Sequence, residues 1–237
     1  MLDFSKRSTQ KEYLDKEDIP FADIKKNMQE LDFINTYLGG HQITINGLQS
    51  IIKLSNFQLA NQLTICEIGC GGGDNLRVLR NWCVKKNISI TLIGIDINPH
   101  CIEYAKSRKE NDAIDFIVSN YKTVAFETKP DLIFSSLFCH HFTNEELQDQ
   151  FIWMKENSKL GFFVNDLQRN FLAYYAIKLL TLLFSKSYLV KNDAPLSVLR
   201  GFHKKELSSI LNQLSMIHYQ IKWKWAFRWL LTYKHEQ

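Results

Sequence analysis

The run Thr64–Asp74 reads Thr-Ile-Cys-Glu-Ile-Gly-Cys-Gly-Gly-Gly-Asp, with Glu67 ahead of the glycines and Asp74 after them. Glycine lacks a Cβ, so this backbone can turn tightly and approach a ligand closely. A second apolar run, Thr91–Ile95, ends at Asp96. A carboxylate in that place, one strand after a glycine-rich turn, is suited to hold ribose hydroxyls. Together these residues predict a nucleoside site at the mouth of a parallel sheet.

The spacing narrows the nucleoside. Gly-x-Gly-x-x-Gly would bind a dinucleotide, but the frame from Gly69 ends on Asp74 and the frame from Gly71 ends on Leu76. No Lys-Ser or Lys-Thr follows, so a phosphate loop is excluded as well. A carboxylate at a helix N-terminus would repel a pyrophosphate docked there. Glu67-x-Gly69-x-Gly71-x-Gly73 instead resembles motif I of the class I S-adenosylmethionine-dependent methyltransferases. Their donor, S-adenosyl-L-methionine, has no phosphate and carries an ammonium and a sulfonium, which acidic neighbours suit. The resemblance implies that Glu67, Gly69, Gly71 and Gly73 line the methionine part, Asp96 holds the ribose and Ile97 flanks the adenine. Asn120 stands where family members commonly carry an aspartate that reads the adenine amino group; it departs from the pattern but keeps a carbonyl acceptor.

Chemistry on an acceptor needs other groups. Ser135–Phe142 contains the pair His140 and His141, which resembles small-molecule methyltransferases of the quinone-biosynthesis type. The Asn/Asp-Pro-Pro-aromatic tetrad of enzymes that methylate nucleic-acid bases is missing here. A phenol or enol must lose a proton during transfer, and histidine is a suitable base. One histidine is expected to be structural and one to face the substrate; the sequence leaves open which. Neighbouring histidines are expected to point apart, and no third ligand has a recognisable spacing, so no metal is expected. Asp166, Arg169 and Arg200 are candidate substrate contacts, with ion pairing of the arginines to Asp166 or Asp193 as the alternative. The segments 163–169 and 192–202, with the apolar stretch between them, look like bacterial methyltransferases that accompany polyketide synthases.

Positioning these residues requires alternating strands and helices. Strands are predicted at Thr64–Ile68, Ser89–Asp96, Asp115–Val118, Asp131–Ser136 and Leu160–Val164, the last stopping at Asn165-Asp166. Helices are expected from Asp74, from Asn98-Pro99 and behind the Thr143–Glu146 capping box. Two further strands, Met216–Trp223 and Phe227–Tyr233, read as a terminal hairpin. The expected fold class is α/β: a Rossmann-like seven-stranded methyltransferase sheet, mostly parallel with an antiparallel C-terminal hairpin, and helices on both faces. Residues 1–60 are expected as an N-terminal helical cap, with one helix over about Ile24–Leu38, a stop at Gly39-Gly40 and a second over about Thr44–Leu59. Residues 61–237 form the core, with a helical lid inserted at about 167–203.

The 237 residues are 45% apolar with a net charge of +4. That charge is too mild to indicate nucleic acid. Five cysteines without a Cys-x-x-Cys pair suggest free thiols, and with no signal-peptide pattern at the N-terminus the expected location is cytoplasmic. The apolar stretch Phe171–Phe184 is shorter than the roughly 20 residues a span requires and has Lys178 at its middle, so no transmembrane segment is expected; peripheral membrane contact stays open. The expected activity is methyl transfer to a small hydrophobic or aromatic acceptor, favoured as O-methylation of a phenolic or polyketide-like compound. Transfer to carbon or nitrogen, or nucleoside binding without catalysis, are the alternatives. Oligomeric state is left open.

Overall fold

The computed structural model describes residues 2–16, 18–54 and 62–236. Two helices, α1 (Phe21–Tyr37) and α2 (Gly40–Leu54), precede the sheet. Then come β1 (Leu63–Ile68), α3 (Asp74–Lys85), β2 (Ile90–Asp96), α4 (Pro99–Lys106) and β3 (Asp115–Val118). They are followed by β4 (Leu132–Ser136), α5 (Asn144–Asn157), β5 (Gly161–Leu167), α6 (Phe171–Phe184) and α7 (Tyr188–Arg200). The chain closes with α8 (Lys204–Gln213), β6 (Tyr219–Lys224) and β7 (Arg228–Lys234).

The strands form one sheet in the order β3-β2-β1-β4-β5-β7-β6. β1 to β5 pair in parallel, and β7 runs antiparallel between β5 and β6. Order reverses at β1, between β2 and β4, which is where open α/β sheets place a ligand crevice. Alternation along each strand divides the core. In β1, Leu63 and Ile65 pack with Leu48 and Ile51 of α2 and Leu76 and Leu79 of α3. Cys66 and Ile68 face the other way, against Leu147 and Phe151 of α5 and Leu207 and Ile210 of α8. Both faces of the sheet are thus covered, which explains why its strands read as near-continuous apolar runs.

Local signals fix several helix starts. Asn98 Oδ1 accepts from the backbone N–H groups of His100 and Cys101 ahead of Pro99, and the Thr143/Glu146 box closes in both directions. Three expectations need correction. β5 does not stop at Asn165-Asp166 but continues through Leu167, because β7 pairs with it along its whole length, Asp166 opposite Trp229 and Leu167 opposite Arg228. α2 begins at Gly40, not Thr44, directly after Gly39 turns the chain at φ +75°. In the hairpin, β6 starts at Tyr219 and not at Met216, which is buried in the core beneath it. The predicted end of the second helix near Leu59 and the 60/61 boundary lie outside the described residues. The segment expected as a lid contains α6 and α7.

Candidate active site

The glycine-rich turn leaves β1 with Gly69, Gly71 and Gly73 all at positive φ, +66°, +50° and +72°. At Gly69 a Cβ would lie 2.2 Å from the Phe138 ring, so the glycine is required both by its backbone and by the chain following β4. Asp96 closes the turn from β2: Oδ2 accepts from Gly71 N at 2.8 Å and Oδ1 from Asn98 N at 2.9 Å. Each oxygen keeps a second lone pair, and the residue stays partly exposed. Ile97 beside it is 68% exposed. Asn120 is exposed at the end of β3, and its Oδ1 accepts from Lys122 N as a cap.

Glu67 is buried. Its Oε1 accepts from Asn75 Nδ2 at 3.1 Å, while Oε2 has no partner. Burial, reinforced by Asp74, pushes its carboxyl well above the usual range. Behind it runs a chain of polar side chains that the sequence did not announce: Thr44 Oγ1 donates to Asn75 Oδ1, and Asn165 Nδ2 donates to Thr44 Oγ1 and to Gly40 O. This network ties β1, α3, α2 and β5 together beneath the crevice. Asp74 caps it from the side. Burial alone would raise its carboxyl, but His41 at 2.8 Å and the nearby Arg77 hold it below the usual range.

The second half of the site lies at the end of β4. Leu137 adopts φ +53°, an uncommon conformation for a residue with a Cβ, and turns the chain into His140 and His141. His140 is 3% exposed and sits between two carboxylates. Its Nδ1 is 2.8 Å from Asp166 Oδ1; its Nε2 is 3.4 Å from Glu12 Oε1, an ion-pair distance without hydrogen-bond geometry. Burial opposes the charge on this ring, yet Asp166 and Glu12 raise its pKa to about 9. Asp166 in turn is held below the usual carboxylate range despite burial, by His140. His141 is more open; its Nδ1 meets Asp15 Oδ1 at 3.1 Å and its Nε2 lies 3.8 Å from Glu12 Oε2.

The two rings lie side by side, 4.4 Å apart at 33°, rather than pointing apart as the sequence suggested. With Glu12 they bring three ligating atoms within 4.8 Å of one another, as do Asp32, His41 and Asp74. Each group already contains its own positive partner, protonated His140 in the first and Arg77, bonded to Asp32 at 2.6 Å, in the second.

Both histidines line a cavity of about 410 Å3. Its walls are largely apolar: Leu31 and Ile34 of α1, Leu38 just after it, Ala173 and Ile177 of α6, and Trp223 of the hairpin. Arg169 and Arg200, expected to contact substrate, are not among its lining residues. Arg169 is fully engaged with Phe4 O, Ser5 O, Gly201 O and Glu206. Arg200 donates to His140 O, His141 O, Gln10 O and Asp15. Both therefore act on the protein: they bind the N-terminal segment over the site. A guanidinium with capacity to spare in the cavity wall is that of Arg228, missed in the sequence. It is 3% exposed and lines the cavity; Nη2 donates to Asn35, while Nε and Nη1 have no partner. Glu12 and Asp15 were missed too, since their spacing carries no signature and only folding brings them to the histidines.

Residues 65–159, from β1 through the histidine pair to α5, match a family model described as a methyltransferase domain. Together with the strand order, this match gives the chain the Rossmann-like fold of class I methyltransferases. Solved structures similar to the chain as a whole include the plantazolicin methyltransferase BpumL in complex with SAH, with a TM-score of 0.65 and 15% identity, covering 91% of this chain and 89% of that one. Another is magnesium protoporphyrin IX methyltransferase (ChlM) from Synechocystis PCC 6803 with bound SAH, with a TM-score of 0.55 and 13% identity, covering 93% and 90%. At these identities the likeness is one of fold. No curated protein sequence matches the chain.

The residues around the glycine turn fit S-adenosyl-L-methionine. Glu67, Asp74 and Asp96 surround it, and the unpartnered Oε2 of Glu67 is a buried acceptor in search of a donor. A phosphate would face the carboxylates of Asp74 and Asp96 there.

Proposed function

We propose that the chain transfers a methyl group from S-adenosyl-L-methionine to a small hydrophobic acceptor, favoured as the oxygen of a phenolic or polyketide-like compound. The observation that carries this reading is a partly exposed histidine, His141, in the wall of a largely apolar cavity and near enough to act on the charge of Asp96 in the donor turn. The neighbours named for plantazolicin and magnesium protoporphyrin IX, crystallised with SAH or SAM, support a small-molecule acceptor.

The donor supplies an electrophilic methyl group on a sulfonium, so the protein's task is mainly positioning. Glu67, Gly69, Gly71 and Gly73 hold its methionine part, Asp96 grips the ribose, and Ile97 and Asn120 flank the adenine. On the acceptor side the two histidines divide the work. His140 keeps its proton through neutral pH and has both ring nitrogens committed to carboxylates. It is a positioning group that fixes Asp166 and Glu12. His141 is the base: Asp15 orients its Nδ1, and its Nε2 takes the phenolic proton while Glu12 stabilises the resulting imidazolium. Arg228 offers an anionic group of a ligand the pairing that the protein withholds.

Calorimetry with S-adenosylhomocysteine tests the first half; no saturable binding would sink the reading. Labelled donor incubated with protein and cell extract, followed by mass spectrometry of the labelled product, then identifies the acceptor. His141→Gln should lower turnover on a phenol by about 100-fold or more while leaving S-adenosylhomocysteine affinity unchanged. An acceptor nitrogen that is already neutral would lose little, which would move the reaction to nitrogen.

A further inference from the structure

The cavity opens beside an apolar face that the donor and acceptor groups do not account for. α6 contributes Tyr175, Leu179, Leu182, Leu183 and Phe184, each more than half exposed and Phe184 76% exposed. Phe33 and Tyr37 extend the face on α1, and a groove between these two helices is lined by Phe33, Tyr37, Leu180 and Phe184. Trp223 and Trp225, the latter 70% exposed, stand at the turn of the β6–β7 hairpin. Leu38, Leu180, Trp223 and Trp225 also line the large cavity, so helices and hairpin tip surround one opening. Soluble monomers rarely expose so continuous an apolar surface.

The charges on α6 and the hairpin are one-sided, whereas the C-terminal part of α1 carries Glu30 and an Asp32 that is paired with Arg77. Between Asp166 and Asp193 the chain carries Arg169, Lys178, Lys186 and Lys191 and no acidic residue. From Met216 to His235 it carries Lys222, Lys224, Arg228 and Lys234, again with no acid. Glu30, the one carboxylate lining the groove among the described residues, is bound to Ser185 Oγ and Lys186 N. A second copy pressed on this face about a two-fold axis would set lysine against lysine, with only the already bonded Glu30 to pair them. Anionic lipid headgroups would instead meet the lysines, while leucine and phenylalanine enter the acyl boundary and tryptophan sits at headgroup level. Among the described residues no helix is long and apolar enough to cross a membrane.

We propose that α6, the C-terminal part of α1 and the β6–β7 turn form a face that docks on an anionic lipid surface, and that the acceptor is an amphiphile entering the cavity from that surface. The docking stands on the exposed face and its charge; the route of the acceptor rests on the methyl-transfer reading above.

The test uses the full chain with sucrose-loaded vesicles of phosphatidylcholine, with and without about one third phosphatidylglycerol. The protein should sediment with the anionic vesicles, roughly tenfold less with the neutral ones, and be released by salt. Tryptophan emission should shift to the blue and be quenched by brominated lipid. Leu182→Glu combined with Phe184→Glu should abolish sedimentation while preserving the circular dichroism spectrum and S-adenosylhomocysteine binding; Lys222→Glu with Lys224→Glu, which leaves the apolar positions intact, should weaken it selectively on anionic vesicles. Folded protein that binds S-adenosylhomocysteine but ignores both vesicles would overturn the docking. So would a dimer in light scattering that Leu182→Glu and Phe184→Glu dissociate and that binds no lipid. Vesicle binding without affinity for S-adenosylhomocysteine would leave the face standing and remove the methyl-transfer reading instead.

Discussion

His140 is the residue on which the acceptor half turns, although it is not the proposed base. A buried imidazolium flanked by two buried carboxylates is stable only as a set, since removing one partner leaves an uncompensated charge. Asp166 is the closer partner and also accepts from the backbone N–H groups of His140 and Leu167. Asp166→Asn should therefore cost about 3–5 kcal/mol in urea unfolding and draw the His140 pKa down from about 9, read by imidazole NMR titration. A loss in turnover without those two changes would mean that Asp166 touches the substrate directly. At this scale the sequence singled out the histidine pair but not its partners. Asp166 lies on a strand whose length the apolar run understated, and Glu12 and Asp15 meet the pair only through long-range folding.

Between elements, the contact that joins the two halves is α2 lying directly on β5. A Cβ at Gly47 would sit 2.5 Å from the Phe163 ring, so the helix approaches the strand more closely than any other residue permits. That approach brings Gly40 O and Thr44 Oγ1 within reach of Asn165, and through Asn75 to Glu67. Gly47→Ala should destabilise the protein by about 1–3 kcal/mol through overpacking and weaken S-adenosylhomocysteine binding, with thermal unfolding and calorimetry as the readouts. Unchanged affinity in a destabilised protein would separate the network from the donor site. The N-terminal segment is a second such element. Arg7, Arg169 and Arg200 donate to backbone carbonyls that tie it over α7 and the histidine turn, and Tyr13 and Leu14 N–H groups are held by Asp193. Its role as a carrier of site residues was invisible in a stretch expected only to pack as a helical cap.

For the whole molecule, the clustered histidines and acids set a pH window. The His140 pKa lies above its ordinary value of about 6.5, at about 9. Its stabilisation is therefore complete below about pH 6.5 and lost as pH rises through about 9. Asp15 moves the other way: burial opposes its charge, but His141 lowers it to about 2. Its contribution is complete above about pH 4 and lost as pH falls through about 2. These two groups alone would give a flat melting temperature between about pH 4 and 6.5 with a decline on both sides, and the raised carboxyl of Glu67 adds a fall that begins above its ordinary pKa of about 4.3. Glu12→Gln should bring the alkaline decline to lower pH; an alkaline limb indifferent to that change would mean that His140 is not its source.

Period and spacing, which are local properties of the chain, determined by themselves the sheet and the glycine turn proposed to hold the donor. The strand runs, the glycines at 69, 71 and 73, and Asp96 announce a parallel sheet and its nucleoside turn, because each depends on residues close in sequence. Tertiary structure alone decided the acceptor half. It set Glu12 and Asp15 beside His140 and His141, spent Arg169 and Arg200 on the N-terminal segment, and left Arg228 with unpaired nitrogens in the cavity wall. Those pairings join residues more than a hundred positions apart, held together by burial and charge compensation, and no local pattern encodes which distant carboxylate a buried cation will find.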